Sequence, residues 1–104
     1  AWKPLLGSPP HPEYPSAHGC LTGAQAKVFA TFLRTNRIDL DLTSTVPNLL
    51  QPTRHYERTT DLTQEVMHAR VWGGIHFRNA TIKGIAVGSK VAHWTLDRYF
   101  LPER

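Results

Sequence analysis

The sequence predicts a mainly α fold, three helices with a small β-hairpin between the first and the second. Three observations carry this. Apolar residues recur at helical spacing in three separate stretches, and the spacing switches to period two only around residues 38–42. Prolines gather at the two ends and in the middle loop, where helices are excluded in any case. With 104 residues, 40% of them hydrophobic and 19% charged, the chain is read as one soluble domain rather than two.

Residues 1–15 contain Pro4, Pro9, Pro10, Pro12 and Pro15. Each proline removes a donor and biases its predecessor to extended backbone, so this stretch is an arm. Leu5, Leu6 and Tyr14 suggest that the arm lies on a core. Ser16 sits where an N-cap belongs, and Leu21, Ala24, Val28 and Phe32, with Phe29 and Leu33 beside them, follow the helical period. The first helix is placed at 16–35, with Asn36 as its stop. Ile38, Leu40 and Leu42 alternate with Asp39, Asp41 and Thr43, a half-exposed strand, and Thr53 to Tyr56 returns as its hairpin partner.

Asp61 and Gln64 have capping-box spacing, which starts a second helix over 61–73. Leu62, Val66, Ala69 and Gly73 fall on its inward stripe. Gly73-Gly74 ends it through a left-handed cap. A third helix over 80–100 is drawn from Ile82, Ile85, Ala86, Ser89, Ala92, Leu96 and Tyr99, stopping before Pro102. Gly84 and Gly88, four apart, give it a smooth face that another helix can approach closely.

Composition narrows the function classes. The single cysteine, Cys20, excludes a disulfide framework and a multi-cysteine zinc site. No apolar run approaches the roughly 20 residues of a membrane span, and Ala1-Trp2-Lys3-Pro4 lacks signal-peptide order, so the compartment stays open. Net charge is +4, but the 12 Lys and Arg are dispersed, which argues against nucleic acid and favours a small oxyanion held by a few placed bases.

Two clusters have the chemistry for that. At Ser16-Ala17-His18, the first turn of a helix offers unpaired N–H groups and a partial positive charge, with a hydroxyl and an imidazole nearby. A capping serine and an exposed histidine explain the same residues. At Ala69-Arg70-Val71-Trp72-Gly73-Gly74-Ile75-His76-Phe77, Arg70 and His76 would point apart on an unbroken helix. A break at the two glycines folds His76 back towards Arg70, whose planar fork suits anionic oxygens. A surface arginine and a turn histidine again fit this stretch alone.

Together, and in this order, the clusters resemble two motifs of the vanadium-dependent haloperoxidase and type 2 phosphatidic acid phosphatase superfamily. Tyr14-Pro15-Ser16-Ala17-His18-Gly19 is similar to its Pro-Ser-Gly-His motif. Arg70, Gly74 and His76 match the motif in which an arginine precedes a glycine and a histidine. The lead-in Pro9-Pro10-His11-Pro12-Glu13-Tyr14-Pro15 and the phrase from Arg70 to Phe77 are more similar to the soluble haloperoxidase-like branch. The resemblance spans residues 1 to about 100 and implies a single but incomplete domain, the C-terminal part of a longer helical bundle.

What the resemblance implies for the site is specific. His76 would bond the metal of vanadate, or attack phosphorus in a phosphatase. Ser16, the Ala17 amide and Arg70 would hold the oxyanion, and His18 would act as acid or base opposite His76. Vanadate is the implied cofactor, and phosphate can occupy the same donors. Peroxide and a halide would be the partners in a haloperoxidase, a phosphoester in an acid phosphatase. From a different class, the chain would be a non-catalytic helical association module. Three departures accompany the match: the family's earlier lysine and Arg-Pro motif is absent, Ala17 replaces a glycine, and Ala69 and Ala80 stand where serine and aspartate are common. The chain alone is therefore expected to be inactive, and to associate with itself or with the remainder of its parent through its apolar stripes.

Overall fold

Ser16 starts the first helix as its residue type suggests, its Oγ accepting from the Gly19 amide at 3.1 Å. The computed structural model describes residues 1–103 as α1 (Ala17–Leu33), β1 (Arg37–Thr43), β2 (Thr53–Arg58), α2 (Thr59–Trp72) and α3 (Arg78–Leu96). The mainly α class, the three helices and the hairpin are all present. β1 and β2 form one antiparallel pair that brings Leu40 opposite Tyr56, Asp41 opposite His55 and Leu42 opposite Arg54.

Element ends differ from the sequence expectations for local reasons. Arg34, rather than Asn36, closes α1 in a left-handed conformation. The Asn36 carbonyl is used elsewhere, accepting from the Thr59 amide at 3.0 Å. That same bond lets β2 run straight into α2, so the cap position is Arg58 with no side-chain cap bond, and no Asp61–Gln64 capping box forms. Asp61 lies in the first turn, where its charge still favours the helix dipole. α3 stops at Leu96, where Asp97 and Tyr99 turn back onto the His93 and Thr95 carbonyls, short of the expected 100.

The seam between α1 and α3 decides which faces are buried. α1 packs on α3 through Gly19, Thr22, Gly23 and Ala26 on one side and Thr81, Gly84, Gly88 and Ala92 on the other. A Cβ on Gly88 would overlap the Cys20 carbonyl, and one on Gly23 would overlap the Ile85 carbonyl. Backbone therefore meets backbone along this seam, the close approach that the spacing of Gly84 and Gly88 predicts. The apolar stripe of α1 faces out, with Leu21 and Phe32 65% and 84% exposed. On α3, Ile82 and Ala86 likewise face solvent; on α2, Leu62 and Gly73 are buried but Ala69 is not.

The chain is consequently plate-like. Its radius of gyration is 15.4 Å, against about 13 Å for a compact domain of this length. No helix among the described residues is long and apolar enough to cross a membrane. The arm lies along the α2–α3 corner mainly through backbone: the Leu6 amide donates to the Gly73 carbonyl at 3.2 Å, while Leu5, Leu6 and Tyr14 keep exposed side chains.

Candidate functional site

The corner between α2 and α3 fixes the second cluster. Gly73 is still right-handed, and Gly74, at φ 75°, takes the left-handed turn that side chains resist. The chain then doubles back so far that the Ile75 and His76 amides both donate to the Arg70 carbonyl, at 3.1 and 3.2 Å. The glycine break thus joins Arg70 to His76, as the spacing required. Gly74 also admits the arm, because a Cβ there would lie 3.0 Å from Pro4.

The first cluster is tied to the second by one backbone bond. The Ser16 amide donates to the Ala80 carbonyl at 3.0 Å, placing the start of α1 beside the first turn of α3. Ser16 is fully buried; its Oγ accepts the cap bond, which leaves its proton available as a donor. The Ala17 amide lies in the open first turn of α1.

Of the sequence-selected side chains, His18, Arg70 and His76 come together here, with Ser16 held at the adjoining start of α1. His18 is exposed, but its pKa is held below the ordinary imidazole value, first by partial burial and then by the charge of Arg70, with the neighbouring rings of His11 and His76 acting in the same direction. Partial burial also lowers the Arg70 guanidinium from its usual value. The Nε and one terminal nitrogen of Arg70, and the Nε2 of His76, are buried without a hydrogen-bond partner. The unpaired Arg70 donors are costly to bury, and they mark a place where an acceptor belongs.

His76 has no exposed side-chain surface, and its Nδ1 donates to the Glu13 carbonyl at 2.6 Å. A proton on Nδ1 leaves the Nε2 lone pair free, the state in which an imidazole binds a metal centre. Ala80, where an orienting aspartate was missed, is buried beneath Ser16; the partner of His76 comes from the arm instead.

Two arm residues escaped the sequence reading. His11 stacks on His76 with ring centroids 5.5 Å apart and stands 6.2 Å from His18, so it completes a group of three imidazoles and one guanidinium. Glu13 supplies the carbonyl just described. Arm residues have no period to read, and a backbone acceptor leaves no trace in side-chain identity. The available signal was His11 itself, set among prolines seven residues before His18. Beside the site, a cleft of about 470 Å³ is lined by Trp2, Glu13, Val71, Ile75 and Phe77. Trp72 and Trp94 are largely exposed and lie outside it.

Among the described residues, no group of three or more His, Cys, Asp and Glu is arranged to cage a metal cation. The Arg70 guanidinium has no carboxylate partner there, and in the neutral ring of His76 the Nε2 lone pair is free. Comparison with known proteins identifies the family. The model of the VCPO (vanadium chloroperoxidase) second helical-bundle domain matches residues 1–101. A bacterial vanadium-dependent iodoperoxidase structure is similar over 99% of this chain and 25% of its own, at 28% identity and a TM-score of 0.84. A bacterial vanadium-dependent chloroperoxidase in its holo form is similar over 93% of this chain and 23% of its own, at 26% identity and a TM-score of 0.74. This chain spans about a quarter of the length of either structure. No curated protein gave a match.

Proposed function

Because the chain belongs to the family of the vanadium chloroperoxidase second helical-bundle domain, we propose that it carries the vanadate-binding part of a haloperoxidase-like site. The observation that carries this reading is the set of unpartnered buried nitrogens on Arg70 and His76, in a cluster that His11 links to His18 in the first turn of α1. These donors fit vanadate: two guanidinium N–H groups for its oxygens, an imidazole lone pair for its metal, and the Ser16 hydroxyl and Ala17 amide beside them.

When bound, vanadate supplies the Lewis acidity that lets peroxide oxidise a halide without a change in the metal's valence. The residues of this chain provide the rest. Arg70, with no carboxylate paired to it, offsets anionic charge. His76 commits its Nδ1 proton to the Glu13 carbonyl, so in the neutral ring the lone pair lies on Nε2. His18, held below its ordinary pKa by burial and the charge of Arg70, is neutral near pH 7 and can accept a proton at the exposed mouth of the site. In the whole protein, further cationic groups such as the lysine and Arg-Pro pair would come from outside this chain. The outward apolar faces of α1 and α3 are where that remainder, or a second copy, would be met.

Titration with orthovanadate followed by vanadium NMR tests the reading. Binding should be saturable, and His76→Ala should abolish it while circular dichroism stays unchanged. Arg70→Ala should weaken it by about 1.5–3 kcal/mol, roughly ten- to a hundredfold. Retained binding in the His76 variant would remove that residue from its role. Restored to its full-length protein, the site should support vanadate-dependent bromination by peroxide. Phosphate release from phosphoesters, inhibited by vanadate, would instead assign the acid phosphatase reading.

A further inference from the structure

Glu13 makes two contacts with the same short segment. Its backbone carbonyl accepts from His76 Nδ1 at 2.6 Å, and its carboxylate accepts from the Phe77 amide at 2.8 Å. The carboxylate also stands 3.6 Å from His76 Nδ1. Phe77 is the N-cap position of α3 and has no side-chain cap bond of its own. One arm residue therefore grips the ring of His76 and the peptide that follows it. We propose that Glu13 is the positioning residue for His76: by clasping residues 76 and 77 it fixes the Nδ1–H tautomer and presents Nε2 to the oxyanion site.

The physics supports both halves of the clasp. A proton on Nδ1 is stabilised by the carbonyl it donates to and by the negative charge beyond it, whereas a proton on Nε2 would be buried with no acceptor. Holding the Phe77 amide keeps the backbone of His76 against the arm, so the carbonyl bond survives motion of an otherwise exposed loop. Ala80 cannot perform this task because its side chain has no acceptor. Glu13, 63 residues earlier in the chain, does so instead.

The inference rests on the vanadate reading for its purpose but not for its test. In the unliganded protein at a pH where the imidazoles are neutral, long-range nitrogen–proton NMR should show His76 in the Nδ1–H form. Glu13→Ala should produce a mixture of tautomers and shift the Phe77 amide resonance. Glu13→Asp, one methylene too short to reach that amide, should do the same and serves if the alanine variant does not fold. Glu13→Gln, which keeps an acceptor of full length, should restore the native signature. Orthovanadate affinity should fall roughly tenfold in the alanine variant and recover in the glutamine variant. An unchanged His76 tautomer in both the alanine and aspartate variants would overturn the proposal, as would a wild-type His76 protonated on Nε2. If the tautomer responds as described while the wild-type protein ignores vanadate, Glu13 keeps its role and the vanadate reading falls.

Discussion

The hairpin and the α2–α3 corner each carry an arginine and a histidine, and they treat them in opposite ways. On β2, Arg54 forms a two-pronged ion pair with Glu65 at 2.8 and 3.1 Å, and His55 bonds Asp41 across the sheet at 2.7 Å. At the corner, Arg70 and His76 hold buried nitrogens with no partner, and the nearby carboxylate of Glu13 stands by His76 rather than by Arg70. A cation matched to a carboxylate on the surface has its chemistry closed. One that is desolvated and unmatched keeps its donors for an anion from outside. Residue type does not separate the two regions; the partners do.

The most damaging way to break this contrast is to separate α1 from α3. Gly88→Ala places a methyl group into the Cys20 carbonyl, on backbone that cannot step aside. The expected loss is about 3 kcal/mol in urea denaturation, the upper end of overpacking costs, even though alanine favours an exposed helix by about 1 kcal/mol over glycine. Orthovanadate binding should weaken with it, because this seam holds the start of α1 against α3 beside the site. Gly7→Ala meets nothing within 4 Å and should stay within about 0.5 kcal/mol of the native protein. Equal losses in the two variants would show that the seam is not what holds the site.

A gentler probe sharpens the contrast through its two histidines. Hydrogen bonding and charge from Asp41, helped by Asp39 and Glu57, raise His55 above 6.5, so its stabilising contribution is complete below that pH and disappears as pH rises through its folded value. His18 is lowered below 6.5, so the unfolded chain takes up the proton first and stability is lost as pH falls from 6.5 towards the folded value. Proton NMR titration of the two rings should bracket 6.5 from opposite sides. Orthovanadate should raise His18 and leave His55 in place; equal movement of both would deny that only one end of the molecule receives the anion.

What the sequence made legible is what local chemistry controls. The Ser16 cap, the period-two switch at Ile38 to Leu42 and the glycine break after Trp72 each depend on a few neighbouring residues, and each is present where it was expected. The fold class and the meeting of Arg70 with His76 followed from those, and the family and the place of His18 from the resemblance of the two motifs. The smooth face at Gly84 and Gly88 was legible too, and it lets two backbones touch while Leu21 and Phe32 stay outward; Ala69, expected inside, is exposed because hydropathy spacing does not say which neighbour covers a face. Glu13 was missed because its bond to His76 runs from a main-chain carbonyl across 63 positions, and no residue pattern encodes such a contact.

The smallest effect is the one that isolates the contrast most cleanly. Glu65→Ala frees the Arg54 guanidinium and gives the hairpin an unmatched arginine, as at the corner, but in water rather than buried. An exposed ion pair contributes little to stability, so urea stability should fall only slightly, and less at high salt. If lack of a partner alone made an anion site, Arg54 would now acquire orthovanadate affinity, and a second equivalent would bind. Desolvation is what Arg54 lacks: water satisfies its donors as well as an oxyanion would. The expected stoichiometry therefore stays at that of the native protein, with His76→Ala still removing all binding in the Glu65→Ala background.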